Sequence, residues 1–263
     1  MDTPAGGNAD KKENNRKIMS LDTNKRIVLK WKDAETMSFA AATLFTASCV
    51  RSIEERGKFI VALSGGNTPK RLYQLLATKE FSRTIPWEKV FLFWGDERFV
   101  PPTDTESNYR MVKENLLTHI SIPEKNIFPV PVEGTATNCA KKYEKTITRF
   151  WDDKKIRFDC MLLGIGNDGH TASLFPGTDI VKEKKKLVKE VWVEEKQTWR
   201  ISVTLPLIND SRQVVFLVTG KEKAAVVAGI LSDKKEKKPL PSQLVNPKKG
   251  IVYWLLDDDA AGY

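Results

Sequence analysis

One of the chain's two histidines follows an aspartate by two residues, in Asn167-Asp168-Gly169-His170. A carboxylate at that spacing can fix the tautomer of an imidazole and suit it to general-base work near neutral pH. His170 is thus a candidate base and Asp168 its neighbour, although Asp168 could equally cap a short helix starting near Gly169. The same stretch carries a literal G-x-G-x-x-G at Gly164, Gly166 and Gly169, just after the apolar run FDCMLL. A dinucleotide site needs a long helix after those glycines and an acid about 20 positions on. Here Pro176 and Gly177 stop any helix soon after His170, and the motif lies mid-chain. The dinucleotide reading fails on that context.

Two further polar clusters sit where apolar runs end. Ser64, Gly65, Gly66, Asn67 and Thr68 lead from VAL into a helical pattern, with Thr68 placed to cap the helix and Pro69 in its first turn. Glycines let backbone approach a ligand, and free N–H groups at a helix start attract phosphate. Such a turn can also be a bare connection. The spacing G-x-x-x-x-G-K-[ST] is absent, so nucleotide hydrolysis has no support. Asp96, Glu97 and Arg98 follow VFLFW and precede a proline-rich loop, where they could bind a ligand or form a structural ion pair. His119 ends an amphipathic helix, a comfortable place for a histidine, and is assigned no role. The histidines and cysteines show no metal-ligand spacing, and neither Ser64 nor Ser173 sits in a G-x-S-x-G elbow.

Alternating elements must carry these loops. RIVLKW, KFIVALS, KVFLFW, FDCMLLGIG, EVWVEE, RISVTL, QVVFLVTG and GIVYWLL read as strands. Between them, DAETMSFAAATLFTASCVRSIEER, TPKRLYQLLATKEF, ESNYRMVKENLLTHI, NCAKKYEKTITRFW and EKAAVVAGIL read as helices. Several strands are continuously apolar, as strands covered on both faces are. The pattern predicts an α/β fold, a doubly wound, mostly parallel sheet flanked by helices. All strand C-termini then lie on one edge, where ligands bind. Three separate loops converge there and supply a phosphate cradle, an Asp-Glu-Arg cluster and an Asp-x-His. A phosphorylated small molecule attacked by a base is the chemistry these parts suit.

Bulk properties narrow the class. With 263 residues, 41% of them hydrophobic, the chain can bury a sizeable core. Residues 1–22 read as a disordered polar tail and residues 23–263 as a single domain. No apolar run reaches the ~20 residues of a membrane span, and the N-terminus lacks a secretory signal. Cys49, Cys139 and Cys160 form no CxxC pair, which points to a reduced compartment and a cytoplasmic location. The net charge of +9 is concentrated in lysine runs at Val181–Glu190 and Ser232–Pro239 that mix in acids and lack aromatics. These read as solvated loops. Nucleic acid is therefore not the expected partner; an anionic metabolite is.

The segments SGGNTP, GDERFVPPTDTESNY, LLGIGNDGHTASLFPGT, RISVTLPLIND and TGKEKA, in that order from about residue 35 onward, resemble the 6-phosphogluconolactonase family. Its superfamily also holds glucosamine-6-phosphate isomerase/deaminase. The resemblance implies a Rossmann-like fold and hydrolysis of 6-phospho-D-glucono-1,5-lactone to 6-phospho-D-gluconate, the second step of the oxidative pentose phosphate pathway. It implies no cofactor, no metal and no partner beyond the phosphorylated sugar lactone, and a monomer is expected. Carried over by motif, His170 is the base, Asp168 its neighbour and Arg98 a substrate-contacting cation. Lys223 and Arg200 match phosphate-holding positions, alongside Ser64–Thr68, with Asp96 among the substrate-binding residues.

The isomerase branch carries a glutamate, in N-E-P-G, where this chain has Phe175, and usually a tyrosine where it has Arg98. Ring opening and proton shuttling want that additional carboxylate, whereas lactone hydrolysis does not. A non-catalytic sugar-phosphate sensor would be expected to add a helix-turn-helix, for which the N-terminal segment has no room.

Overall fold

Runs such as FIVAL and VFLFW contain no polar residue, so a strand made from them needs cover on both faces. The computed structural model, which describes residues 26–152, 155–232 and 238–262, provides it. The first half runs β1 (Arg26–Trp31), α1 (Ala34–Arg56), β2 (Phe59–Leu63), α2 (Asn67–Leu76), α3 (Lys79–Ser82), β3 (Val90–Trp94), β4 (Asp96–Arg98), α4 (Asn108–Asn115), β5 (Ile127–Phe128) and α5 (Ala136–Phe150). Then follow β6 (Cys160–Leu163), β7 (Val188–Val193), β8 (Thr198–Val203), α6 (Leu205–Ile208), β9 (Gln213–Val218), α7 (Ala224–Leu231), β10 (Ile251–Asp257) and α8 (Asp258–Ala261).

Seven strands form one sheet in the order β1-β10-β9-β6-β2-β3-β5. Every pairing in it is parallel. Side chains alternate across this sheet. Phe59 of β2 meets Phe45 of α1 edge-on with centroids 5.2 Å apart. Phe93 of β3 points to the other face, where it packs on Phe150 of α5 at 5.2 Å and stacks on Phe128 at 4.5 Å. Helices thus cover both faces, and β2, β3 and β6 are almost wholly buried. From β2 the chain winds to β3 and β5, then returns to β6 on the other side of β2. Such a reversal opens a crevice at the carboxyl ends of the two central strands.

Several expectations need correcting. EVWVEE and RISVTL do not join the large sheet. As β7 and β8 they form a second, antiparallel sheet with β4. Asp96-Glu97-Arg98 is therefore a strand rather than a loop. Gly95 makes the transfer: its N–H donates to Leu63 O at 2.8 Å in the first sheet, and its carbonyl accepts from Val203 N at 2.9 Å in the second. The helix expected over 68–81 breaks at Ala77 and Thr78 into α2 and α3. Strand β5, only two residues long, has no periodic signature. The 1–22 tail lies outside the described residues, as do residues 233–237 of the second lysine run. Among the described residues no helix is long and apolar enough to cross a membrane.

Candidate active site

The glycine turn after β2 is held rigidly from below. Tyr73 of α2 accepts from Ser64 N at 3.1 Å and donates to Ser64 O at 2.7 Å. Full burial pushes the Tyr73 hydroxyl above its ordinary range, so it stays a neutral two-way clamp. Gly65 is required by a close approach: a Cβ there would fall 1.8 Å from Asn108 Oδ1. Gly66, at φ +106°, is the residue before α2 and provides no side-chain cap. Thr68 is thus not the cap but the second residue of the helix, and its Oγ1 lies 2.6 Å from Thr219 Oγ1. The N–H groups of Asn67 and Thr68 belong to the first turn, where the helix itself offers no acceptors.

The Asp-Glu-Arg strand divides its labour. Glu97 is buried and accepts from the N–H groups of Arg98, Asn108 and Tyr109 at 2.8, 2.7 and 2.8 Å. Burial pushes its carboxyl up, and those three N–H groups oppose the shift. It anchors the start of α4. Asp96 accepts from the Ser173 hydroxyl at 2.6 Å and from Asn108 Nδ2 at 3.3 Å, tying the third loop to the second. Arg98 stands opposite Arg200 in the β4–β8 register. Arg98 donates to the Glu106 carbonyl and lies 3.6 Å from its carboxylate. The Nε of both arginines is buried without a hydrogen-bond partner among the described residues. Burial and the charge of Arg98 push the Arg200 guanidinium below its ordinary range, while Asp96, Glu106 and Glu97 pull the other way. Two crowded cations with unspent donors favour anionic groups in the space they face.

In the third loop His170 Nδ1 is 2.6 Å from Asp168 Oδ1, which also accepts His170 N–H at 3.1 Å. No helix begins near Gly169. Asp168 closes a tight turn instead of capping a helix. Gly166 leaves the space this pair occupies, since a Cβ there would sit 2.1 Å from His170 Nδ1 and 2.6 Å from Asp168 Oδ1. That glycine serves the imidazole and not a pyrophosphate. Thr171 Oγ1 holds Gly164 O at 2.9 Å, and Ala172 adopts φ +48°, a left-handed conformation that costs a residue with a Cβ of the order of 1 kcal/mol. Phe175 packs on the His170 ring at a centroid distance of 4.2 Å.

The three loops line one cleft of about 430 Å³ at the carboxyl ends of the central strands. It takes in Ser64, Gly65, Gly66, Asn67, Thr68, Asp96, Arg98, His170, Arg200 and Lys223; Asp168 stands behind the imidazole. The Lys223 ammonium donates to Asn167 Oδ1 at 2.6 Å. Sequence reasoning missed Asn108, Lys196, Thr219 and Glu222, which also line the cleft. Asn108 begins α4 inside a motif already singled out, whereas Lys196 sits in the β7–β8 turn and leaves no local signal. None of residues 182–189 lines the cleft. Among the described residues no three His, Cys, Asp or Glu side chains are grouped so as to hold a metal.

Residues 32–254 match the family described as glucosamine-6-phosphate isomerases/6-phosphogluconolactonase. A 6-phosphogluconolactonase of Synechocystis is 39% identical over 224 residues, covering 84% of this chain and 90% of that protein. One of Haemophilus influenzae is 37% identical over 76% of this chain and 85% of its own length. Among solved structures, a 6-phosphogluconolactonase from Trypanosoma cruzi aligns with TM-score 0.81 and 31% identity over 94% of this chain and 98% of its own. A monomeric glucosamine-6-phosphate deaminase shares the fold at TM-score 0.76 and 21% identity, covering 89% of this chain and 98% of its own.

Proposed function

The chain belongs to the glucosamine-6-phosphate isomerase/6-phosphogluconolactonase family, and from that premise we propose that it hydrolyses 6-phospho-D-glucono-1,5-lactone to 6-phospho-D-gluconate with His170 as general base. The observation that carries the proposal is the His170–Asp168 pair facing the same cleft as the free amides of α2 and the cations Arg98, Arg200 and Lys223. A base, an oxyanion partner and a phosphate grip then lie within one sugar-sized volume.

Asp168 takes the Nδ1–H of His170, which leaves the Nε2 lone pair for the cleft. The 6-phosphate is met by N–H groups at the start of α2, by Lys223 and by Arg200. Binding energy spent at that remote end fixes the lactone carbon beside the imidazole. Water attacks C1 as His170 removes its proton, and Arg98 stabilises the oxyanion that forms. The tetrahedral species collapses by breaking the bond from C1 to the ring oxygen, and His170 returns its proton to that oxygen. A δ-lactone is an activated ester, so no covalent nucleophile is needed. Phe175 supports lactonase over isomerase chemistry, because its ring packs against His170 where the isomerase motif brings a carboxylate.

The test generates the lactone in place and follows 6-phosphogluconate by coupled dehydrogenation, against spontaneous opening. His170→Ala should lose roughly 10²- to 10⁴-fold in rate above background. A variant within a few-fold of the parent kcat/KM would remove His170 from the mechanism. Ammonia release from glucosamine 6-phosphate, measured in parallel, would favour the isomerase branch instead.

A further inference from the structure

The catalytic reading leaves the opposite edge of the large sheet unused. There, where β1, β6, β9 and β10 begin, a second cavity of about 440 Å³ opens. A six-residue strand such as β9 spans about 20 Å, which separates the two openings. Among the described residues, six of the side chains lining this cavity are cationic and two are acidic.

Both acids are already committed. Asp159, 4% exposed, accepts from Ile60 N at 2.9 Å and from Arg56 Nε at 2.9 Å, and forms an ion pair without a hydrogen bond to Arg212 Nε at 3.2 Å. Glu55 is taken by Arg51 at 2.7 Å and by Arg56. Asp159 therefore holds Arg56 by a hydrogen bond and faces Arg212 in charge only, which leaves the buried Nε of Arg212 without a hydrogen-bond partner among the described residues. Arg157 donates to the carbonyls of Asp210 and Lys249, neutral partners that orient its charge without cancelling it. Burial and the facing charges of Arg56 and Arg157 push the Arg212 guanidinium below its ordinary range. Among the described residues Arg157 meets only neutral carbonyls, and the carboxylate of Asp159 is shared between Arg56 and Arg212, so these cations are not balanced one for one.

We propose that this cavity binds a small polyanion of the phosphorylated-metabolite class, at a site separate from the catalytic cleft. The cations come from distant chain segments and surround a recess, which suits a compact ligand with several anionic oxygens. Among the described residues no aromatic side chain lines it, so they offer no platform for a nucleobase. Neither the base nor the phosphate grip of the catalytic cleft takes part.

Pyrophosphate is the probe, titrated into the full isotope-labelled chain while backbone amide shifts are followed. Saturable shifts at Gln213, Gly250 and Ile251 are expected. They should need at least tenfold more pyrophosphate in Arg157→Ala/Lys249→Ala, two partly exposed changes that keep lactonase kcat/KM within twofold. Arg212→Gln, which removes the charge and keeps a shorter polar side chain, should weaken binding by a similar factor. Shifts confined to Gly66–Thr68 and the His170 loop would overturn the proposal, as would a titration that neither variant alters.

Discussion

Arg200→Met should make the protein more stable and the enzyme worse. Arg200 is 8% exposed, its Nε has no hydrogen-bond partner among the described residues, and Arg98 stands opposite it in the strand register. Leaving one buried donor unsatisfied costs about 1–3 kcal/mol, and the facing cation adds to that. Against this stands the attraction of Asp96, Glu106 and Glu97. Methionine keeps much of the apolar stem while discarding charge and donors. The balance should favour the variant by about 1 kcal/mol, or a rise in Tm of about 2–4 °C for a chain of this size. In the proposed mechanism the unspent donors of Arg200 meet the phosphate dianion. Losing a hydrogen bond to a charged group costs about 1.5–3 kcal/mol, so KM should rise about tenfold to 150-fold with kcat little changed. Arg200→Lys should fall between, because an ammonium keeps the charge without the planar fork. Thermal scans and coupled lactonase kinetics on the same preparations decide the matter. A variant that melts lower and keeps its KM would show Arg200 to be structural, and the reasoning would fail.

Asp168→Asn removes the charge facing the imidazolium that forms when His170 takes a proton. At ~4 Å that attraction is worth ~1 kcal/mol in water and ~4 kcal/mol at an effective dielectric of 20. With the two side chains 30% and 46% exposed, the lower half of that range applies, so kcat/KM should drop about 5- to 70-fold; a loss under threefold would detach Asp168 from the chemistry. Lys223→Ala should mainly raise KM, and an effect confined to kcat would contradict its phosphate role. Burial pushes the Cys49 thiol up to about 12 and raises Cys139 and Cys160 as well. The native protein should therefore resist thiol labelling from pH 7 to 9, an interval in which a free thiol near 8.5 ionises, and react at all three cysteines once unfolded. By linkage the unfolded chain releases those protons first, so the same shifts lower stability as pH climbs above about 8.5. Labelling of native protein at pH 9 would contradict the burial of these groups.

The sequence by itself determined the parallel sheet and the loops that edge it. Runs such as FIVAL, VFLFW and CMLL state burial on both faces one residue at a time, and Asp168 and His170 are close enough in the chain to meet through a single turn. Residues whose partners lie within a few positions, or whose surroundings are uniformly apolar, carry their structure in the local pattern. What only the tertiary structure decided involves pairings across long stretches of chain. Arg98 meets Arg200, Asp96 meets Ser173, and Thr68 meets Thr219. Glu97, adjacent to two cleft residues in sequence, turns inward to hold α4, while Lys196 reaches the cleft from a hairpin turn. The second cavity likewise draws its cations from chain segments that are distant in sequence. Local patterns encode burial and backbone conformation. Which charges face one another depends on strand order and register, and those are decided by the packing of the whole chain.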